Sequence, residues 1–434
     1  MINIRALIFL FTVGIGINSF AQQAQPKLVF PQQQLIEDFD SLCKTLEECH
    51  PYLFEQIPHK EYDKNKSNIL NVLRAQDSMS VQDFYLLLAP FVASLKEGHS
   101  GIYIPISSRV QYLNNGGLAF PFKVHIADNR LFVFIDLSME QNVEEGTEII
   151  SINGVPVSDI LQRMFSLNGS ERNDDIKYSG IEPYFSTLLW YMYHFEKDYN
   201  LVVKKDGTEQ HVFIQGITQK HFSEVMEQKG KNTPEKKYSL DIDSVGKKAT
   251  MMIRSFADTK ALSAFLKPAF QDLSLNDVDS LVIDVRNNEG GNSGSVDFLM
   301  FYLTDKPYKQ YDKIELKVSD AVKTVYKDRH PDLYNVIKDL PNGSIYTYPD
   351  EFLFTQTKEN KWRFTKKITV LVNSKTYSAG STFASVVECL NIGEVIGITG
   401  FPKISFADFL SFKLPNTQID YYVAIKKFHD CSAE

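Results

Sequence analysis

The feature that most restricts the fold is a series of short apolar segments in the C-terminal half of the chain, each followed by a polar turn. The segments ATMMIRSF, SLVIDV, ITVLVN and EVIGI are typical of buried strands, and they alternate with helical patterns such as LSAFLKPAFQDL and GSTFASVVECL. Strands that alternate with helices form sheets with helices packed on their faces. Residues 238–434 are therefore predicted to form an α/β domain.

Two regions of different character precede this domain. Residues 22–112 are predicted to be an N-terminal helical region, because LIEDFDSLCKTLEECH has helical periodicity and Ser80 is placed as an N-cap before DFYLLLAPFVASL. Residues 113–217 change to short alternating strands such as LFVFIDL and EIISING, which predict a small β-rich module. The charged residues 218–237 contain Gly and Pro and are interpreted as a linker. The predicted fold class is thus α+β with several domains.

The first 21 residues predict a secretory signal peptide. A short basic start is followed by a mostly apolar run at 6–17, and the small residues Ser19 and Ala21 precede the expected cleavage point. We therefore expect an exported protein, periplasmic or extracellular, with no integral membrane span after removal of the signal. A permanent N-terminal anchor is the alternative, although the apolar run is shorter than the roughly 20 residues that cross a bilayer.

Charge and cysteine content narrow the classes of partner and scaffold. The net charge of −8 gives no electrostatic reason to expect nucleic acid or an anionic membrane as a partner. The four cysteines are too few for a disulfide scaffold and have no metal-binding spacing with histidine; one bridge remains possible. A local bridge between Cys43 and Cys49 is disfavoured, because the two lie on nearly opposite faces of a predicted helix. The sequence does not indicate an oligomeric state.

One strand-to-helix turn in the predicted α/β domain contains a candidate nucleophile. Ser378 follows the apolar strand at 369–372 and begins the helical stretch SAGSTFASVVECL. A serine in such a turn can expose its hydroxyl at the edge of the sheet, where helix N-terminal N–H groups stabilise developing negative charge. The alternative is a simple helix N-cap, for which serine is a preferred residue.

Two further segments carry groups that a serine nucleophile needs. The strand SLVIDV runs into RNNEGGN, where the adjacent Gly290 and Gly291 can expose backbone N–H groups in an oxyanion hole; an ordinary turn explains them equally well. His99 lies between small residues where the N-terminal helices are predicted to end. Histidine is the usual general base for serine near neutral pH. A structural role at a helix terminus is the alternative for this residue.

Taken together, GHS at 98–100, DVRNNEGG at 284–291 and SAG at 378–380 resemble the motifs of peptidase family S41. This family includes the C-terminal processing proteases, tricorn-core-like enzymes and the interphotoreceptor retinoid-binding protein repeats. The resemblance extends over about residues 35–399. It implies a ClpP/crotonase-like protease domain in which Ser378 is the nucleophile. The backbone N–H groups near Gly290, Gly291 and Ala379 would form the oxyanion hole.

The resemblance also gives the middle module an expected role. The segment EEGTEIISINGVPVSDIL is similar to a hairpin of the PDZ-like domains found in the family, although any hairpin with an Asn-Gly turn is the alternative. PDZ-like domains capture extended peptide ends by strand addition. The resemblance therefore implies an exported serine-type endopeptidase that acts on unfolded or C-terminal polypeptide segments. It implies no metal and no organic cofactor.

Two residues compete for the role of general base. Tricorn-like enzymes use the histidine of the Gly-His segment, here His99, whereas C-terminal processing proteases use a lysine 25 residues after the serine, here Lys403. The resemblance is weaker around Lys403, because Pro402 replaces the glycine of the lysine motif and Ala407 replaces its later glutamine. We therefore expect His99 to be the base and retain Lys403 as the second candidate.

The carboxylate that orients the base is the least certain part of the resemblance. Relatives usually continue into a Gly-Val-x-Pro-Asp segment, and tricorn-like enzymes place an orienting glutamate near it, whereas the given sequence ends at Glu434. Glu97, Asp284 and Asp430 are the candidate substitutes. A catalytically silent S41-like peptide-binding protein is the alternative function. Binding of a small apolar ligand is a third, implied only by the retinoid-binding relatives.

Overall fold

The computed structural model describes residues 29–169, 174–230, 236–356, 358–399 and 402–431. The predicted signal peptide, residues 1–21, lies outside the described residues. No helix within these ranges is both long enough and apolar enough to cross a membrane.

The N-terminal region consists mainly of helices packed around one apolar face. Helix α1 buries Leu35, Phe39, Leu42 and Leu46, whose spacing of three and four residues places them on one side. Ser80 caps α4 as predicted, since its hydroxyl accepts the N–H of Asp83 at 3.1 Å. The elements are β1 (Val29–Pro31), α1 (Gln32–Cys49), α2 (Leu53–Gln56), α3 (His59–Arg74), β2 (Ser78–Ser80), α4 (Val81–Ala93), β3 (Gly101–Ile102) and α5 (Ser107–Asn114).

The middle module is an antiparallel sheet with the strand order β4-β5-β6-β8-β9, and β7 pairs with β6. The hairpin between β6 and β7 turns through Asn153 and Gly154, which both have positive φ angles as a two-residue type I′ turn requires. Its elements are β4 (Phe122–Ala127), β5 (Arg130–Asp136), β6 (Glu148–Ile152), β7 (Val155–Pro156), α6 (Val157–Phe165), α7 (Asp174–Ile181), a 3₁₀ turn (Glu182–Tyr184), α8 (Phe185–Tyr193), β8 (Asp198–Lys205) and β9 (Thr208–Gln215).

The segment interpreted as a linker, residues 218–237, is corrected by the structure. Most of it forms helix α9 (Gln219–Gly230). Phe222, Val225 and Met226 recur at helical spacing and pack with Leu137 and Ile217. This apolar face explains why the segment folds onto the module instead of forming an extended connection.

The C-terminal region contains two sheets. The first has the order β10-β11-β12-β17-β18 and is parallel except for the pairing of β10 with β11. Its elements and those of the second sheet are β10 (Tyr238–Asp243), β11 (Lys248–Ile253), α10 (Thr259–Leu275), β12 (Ser280–Asp284), α11 (Gly294–Met300), β13 (Tyr308–Lys309), β14 (Tyr311–Lys317), α12 (Asp320–Arg329), α13 (Pro331–Ile337), β15 (Ile345–Thr347), α14 (Asp350–Leu353), β16 (Phe354–Thr355), β17 (Lys367–Leu371), α15 (Ala379–Cys389), β18 (Glu394–Ile396), β19 (Ile404–Lys413) and β20 (Asp420–Asp430).

The second sheet joins the C-terminal region to the N-terminal helices. Its strands β15-β14-β20-β19 are antiparallel, and β3 adds to β20 through the pairs Ile102 with Tyr421 and Gly101 with Tyr422. One apolar core runs from α1 and the middle module to β20, and a second core fills the parallel sheet and its helices. The strand β3, which directly follows His99, is therefore built into the C-terminal region.

A disulfide between Cys389 and Cys431 links the end of α15 to the residue after β20. Cys43 and Cys49 are free and buried. The disulfide therefore lies at the end of α15 that is farther from Ser378.

Candidate active site

Ser378 lies at the N-terminus of α15 in an unusual backbone conformation. Its φ of 49° and ψ of −125° lie outside the regions that non-glycine residues normally occupy. Its hydroxyl makes no capping hydrogen bond to the helix, although the residue occupies the N-cap position. Strain of this kind is concentrated at functional sites, and here it leaves the hydroxyl uncommitted to the helix. The geometry therefore disfavours a simple capping role.

The loop that carries Ser378 is fixed to the loop after β12 by side-chain hydrogen bonds. Asn373 and Asn287 bond reciprocally: Asn287 N–H donates to Asn373 Oδ1 at 2.9 Å, and Asn373 Nδ2 donates to Asn287 Oδ1 at 2.8 Å. The hydroxyl of Thr376 donates to the carbonyl of Val285 at 2.9 Å. These bonds join the carboxyl ends of two adjacent parallel strands, so the two loops act as one support.

Asn288 brings the glycine turn against the serine. This fully buried side chain donates to Ile253 O at 3.1 Å and accepts the N–H of Gly290 at 2.9 Å, while its backbone carbonyl accepts the N–H of Tyr377 at 2.9 Å. A Cβ added to Gly290 would lie 2.8 Å from Ser378 Cβ and 3.0 Å from Ala379 N. A side chain at Gly290 would therefore collide with the turn that carries Ser378.

The backbone N–H groups of Gly290, Gly291 and Ala379, which were expected to bind an oxyanion, differ in whether they already donate a hydrogen bond within the protein. The Gly290 N–H already donates to Asn288. For the N–H groups of Gly291 and Ala379, the hydrogen bonds within the described ranges include no acceptor. Ala379 is the first residue of α15, where the helix dipole adds partial positive charge. Ala379 and Gly291 are accordingly the better candidates for binding an oxyanion.

His99 lies beside the loop that carries Ser378. Its ring stacks on the ring of Tyr377, the residue before Ser378, with centroids 5.9 Å apart and planes 9° apart. The neighbouring Ser100 hydroxyl accepts the N–H of Ala424 on β20 at 2.9 Å. The structure therefore places His99 beside the residue that precedes Ser378, although His99 and Ser378 lie far apart in the sequence.

Two carboxylates interact electrostatically with His99. Burial acts to raise the pKa of Glu97, but contacts with His50, His99 and Ser100 lower it below its usual value. Desolvation also opposes ionisation of Asp408, but the ion pair with Lys426 at 2.5 Å lowers its pKa, and His330 and, least strongly, His99 add to this lowering. Asp408 was not recognised in the sequence, because no local motif marks it. It reaches the site only through the pairing of β19 with β20, where its neighbour Phe409 lies opposite Ala424.

The other two candidate carboxylates have different surroundings. Asp284 forms ion pairs with Arg254 and Arg286 at 3.1 and 2.8 Å. These arginines lower its pKa strongly although desolvation opposes them. Asp430 is buried below α15, where it accepts the hydroxyl of Ser385 at 3.0 Å. Asp284 is thus paired with arginines, and Asp430 is bonded to Ser385 of α15. Within the described part of the chain, neither carboxylate contacts His99.

Lys403 is placed at the opposite end of α15 from Ser378. Its ammonium group lies 3.6 Å from the carboxylate of Glu388, and both side chains are about half exposed. Glu388 is ten residues beyond Ser378, which corresponds to about 15 Å along a helix. The structure thus places His99 beside the turn that carries Ser378 and does not place Lys403 there.

No group of three or more His, Cys, Asp or Glu side chains in the described ranges is arranged to hold a metal ion.

Comparisons with known proteins connect this arrangement to a family. Residues 247–429 match the model of peptidase family S41. Among solved structures, mature CPAF has a TM-score of 0.64 at 14% identity, covering 91% of this chain and 89% of that chain. Mature CPAF complexed with lactacystin gives 0.63 at 15% identity, covering 91% and 90%. None of the curated protein sequences matches the chain.

A weaker likeness is to the photosystem II D1 C-terminal processing protease, with a TM-score of 0.44 at 14% identity over 92% of this chain and 89% of that chain. At such low identity, the likeness to CPAF shows a shared mixed α/β multidomain fold. It extends over nearly the whole of both chains, beyond the region that the family model matches.

Proposed function

Since residues 247–429 of this chain match the model of peptidase family S41, we propose that the protein is an exported serine-type endopeptidase with Ser378 as its nucleophile. The observation that carries this proposal is the strained backbone of Ser378, whose hydroxyl does not cap α15 and whose turn is packed against Gly290. A plain N-cap serine needs neither feature. The stacking of His99 on Tyr377 adds a base beside this turn.

The residues define a reaction in two stages. The Ser378 oxygen attacks the peptide carbonyl while His99 takes the hydroxyl proton and then gives it to the leaving amine. Water next attacks the acyl-enzyme and loses a proton to His99. As the bond between the acyl carbon and the Ser378 oxygen breaks, His99 returns that proton to this oxygen, which releases the carboxylic acid and regenerates the Ser378 hydroxyl and the neutral imidazole. The N–H groups of Ala379 and Gly291 stabilise the negative oxygen at both tetrahedral stages.

The carboxylates of Glu97 and Asp408 complete the electrostatic setting. Both interact with His99, and both have lowered pKa values, so they carry negative charge near neutral pH. Negative charge near an imidazole stabilises the imidazolium that forms when the serine proton is taken up. In the proposed mechanism these two carboxylates supply the negative charge that stabilises the His99 imidazolium.

Polypeptide is the substrate class that we propose, with the middle module as a PDZ-like unit that positions unfolded or C-terminal segments. A contact supports communication between the two parts: the Ser374 hydroxyl donates to the carboxylate of Asp175 in α7. Ser374 belongs to the loop that carries Ser378. A peptide held by the module is therefore expected to lie near the nucleophile loop. The signal-like first 21 residues support export to the periplasm or the exterior.

The test is labelling with a fluorophosphonate, which reacts with activated serines, together with cleavage of an unfolded polypeptide. We expect wild-type protein to be labelled and Ser378→Ala to lose all labelling. Ser381→Ala is the matched control on the same helix, because the Ser381 hydroxyl is buried and donates to Thr376 O at 2.9 Å. Absence of labelling in folded wild-type protein would refute the proposal and favour a catalytically silent peptide-binding protein.

A further inference from the structure

A buried carboxylate that bonds to the backbone of His99 also contacts a buried histidine. Glu97 and His50 are 1% and 0% exposed, and Glu97 Oε1 lies 3.6 Å from His50 Nε2. A carboxylate removed from water destabilises a protein unless it is paired and hydrogen-bonded. The reaction steps given above use His50 in no way. The presence of this pair under the site therefore needs a separate explanation.

The hydrogen bonds of His50 assign the orientation of its proton. The backbone N–H of Tyr52 donates to His50 Nδ1 at 3.3 Å, so this nitrogen is an acceptor. In the neutral ring the proton then resides on Nε2, which faces Glu97. The ring also packs on Phe406, with centroids 4.7 Å apart, and its backbone ends α1. His50 thus presents its Nε2 proton toward the carboxylate at 3.6 Å, an electrostatic contact that is longer than a hydrogen bond.

The second oxygen of Glu97 holds the backbone of the proposed base. Glu97 Oε2 accepts the N–H of His99 at 2.6 Å, a hydrogen bond strengthened by the negative charge. On the other side of His99, the Ser100 hydroxyl is fixed to β20 through Ala424. Lys96, just before Glu97, has a φ of 56°, so the chain turns sharply before this clamp. The backbone N–H of His99 and the side chain of the following residue, Ser100, are therefore both anchored.

We propose that Glu97 is a positioning residue for His99, and that His50 fixes the Glu97 carboxylate in the orientation that clamps the His99 backbone. This inference rests on the proposed function, because it assigns His99 as the base. A misplacement of about 1 Å at a catalytic group lowers rates by roughly 100-fold. A rigid clamp on the backbone of His99 accounts for a buried carboxylate at this place.

The chain offers a closely matched control pair. In the middle module, Glu182 Oε1 accepts the N–H of Ile126 at 2.7 Å and lies 2.9 Å from His125 Nδ1. Glu182 thus also joins a histidine to a backbone N–H, but it belongs to the sheet of the module. Glu97→Gln and Glu182→Gln remove the same charge from two contacts of the same type, one buried and one partly exposed, and only the first holds His99.

The first measurement is the rate of fluorophosphonate labelling from pH 5 to 9, at a temperature where each variant is folded. We expect Glu97→Gln to slow labelling about 10-fold at neutral pH, with Glu182→Gln within about twofold of wild type. The acidic limb of the Glu97→Gln profile should also move to lower pH, because the His99 imidazolium loses a neighbouring negative charge. A purely structural role would not move this limb. A wild-type rate and profile in Glu97→Gln, or an equal loss in Glu182→Gln, would overturn the proposal.

Two further arms keep the test decisive. If Glu97→Gln does not fold, the His50→Gln variant is measured in its place. The glutamine amide cannot reproduce both contacts of the His50 ring, so we expect labelling to be about threefold slower. An unchanged rate would count against the clamp. If wild type is not labelled, the proposed function fails, and the NMR resonance of the His99 amide proton tests the clamp alone. A charge-assisted bond places this resonance downfield, and it should move upfield in Glu97→Gln but not in Glu182→Gln. An unmoved resonance would refute the clamp.

Discussion

His99 and Lys403 are both candidate bases by sequence, but the fold treats them in opposite ways. His99 belongs to the N-terminal region, and β3 and Ser100 fix its loop to β20, so that its ring stacks on Tyr377. Lys403 follows Ser378 by only 25 residues, yet it lies at the far end of α15 beside Glu388. The nearer residue in sequence is the more remote one in the structure.

The surroundings of the two residues differ as much as their positions. Around His99 there are carboxylates that stabilise an imidazolium and a clamp that holds the backbone. Around Lys403 there are an exposed ion pair, a disulfide and a buried aspartate that bonds to the helix. Under the proposed function, the His99 region is expected to control the reactivity of Ser378, whereas the Lys403 region is expected to hold α15 in place.

The largest expected effect separates the two bases. His99→Gln should lower the rate of fluorophosphonate labelling by about 1,000-fold, because a positioned general base contributes roughly 10²–10⁴ to such rates. Lys403→Gln should remain within about twofold of wild type. The same variants in a peptide-cleavage assay serve as an independent check. A large loss in Lys403→Gln with a small one in His99→Gln would reverse the comparison.

The next effect concerns the disulfide near Lys403. The two cysteines are 42 residues apart, and a loop of this length corresponds to about 4 kcal/mol of stabilisation in the chain-entropy model. Replacing both cysteines by serine should lower the free energy of unfolding in urea by about this amount. Under conditions in which it is folded, this double variant should still be labelled at nearly the wild-type rate. A labelling rate that fell 100-fold in the folded variant would show that this region also controls reactivity.

A smaller effect is expected from Asp430, whose pKa is raised to about 7 by burial, with the Ser385 and Lys403 contacts opposing the shift. The unfolded chain ionises this group near pH 4, whereas the folded protein keeps it protonated up to about pH 7. Stability contributed by the protonated acid is therefore complete below pH 4 and is lost as pH rises to 7. The full loss is on the order of 4 kcal/mol, since the pKa rises by about three units and one unit corresponds to about 1.4 kcal/mol. About 3 kcal/mol of it falls between pH 5 and pH 8.

Asp430→Asn should remove this part of the pH dependence. Urea midpoints measured at several values from pH 5 to pH 8 should fall with rising pH in wild type and change less in the variant, with similar labelling rates for both. An equal slope in the two proteins would show that Asp430 is ionised in the folded state at low pH.

Local sequence patterns anticipated the parts of the site that depend on neighbouring residues. The apolar strand before Ser378 and the helix after it follow directly from the residue pattern, as does the Ser80 cap of α4. The motifs containing Ser378 and the two glycines could also be recognised as similar to family S41. The PDZ-like character of the middle module stays a prediction.

The remaining features depend on contacts between distant parts of the chain. Asp408 approaches His99 through strand pairing, which no pattern around either residue encodes. The Gly290 N–H is taken by Asn288, a bond that depends on the shape of the turn. The segment interpreted as a linker became α9 because Phe222 and Val225 found apolar partners in the module. The apolar face of α9 was not recognised in the sequence, because most residues of this segment are polar or charged.

The most direct test of the central claim, that His99 activates Ser378, is a crystal structure of the protein after reaction with a fluorophosphonate. The account predicts a phosphonate bonded to Ser378 Oγ, one phosphonyl oxygen about 3 Å from Ala379 N, and the His99 ring within hydrogen-bond reach of Ser378 Oγ. An adduct faced by Lys403, with the His99 ring turned away, would contradict it.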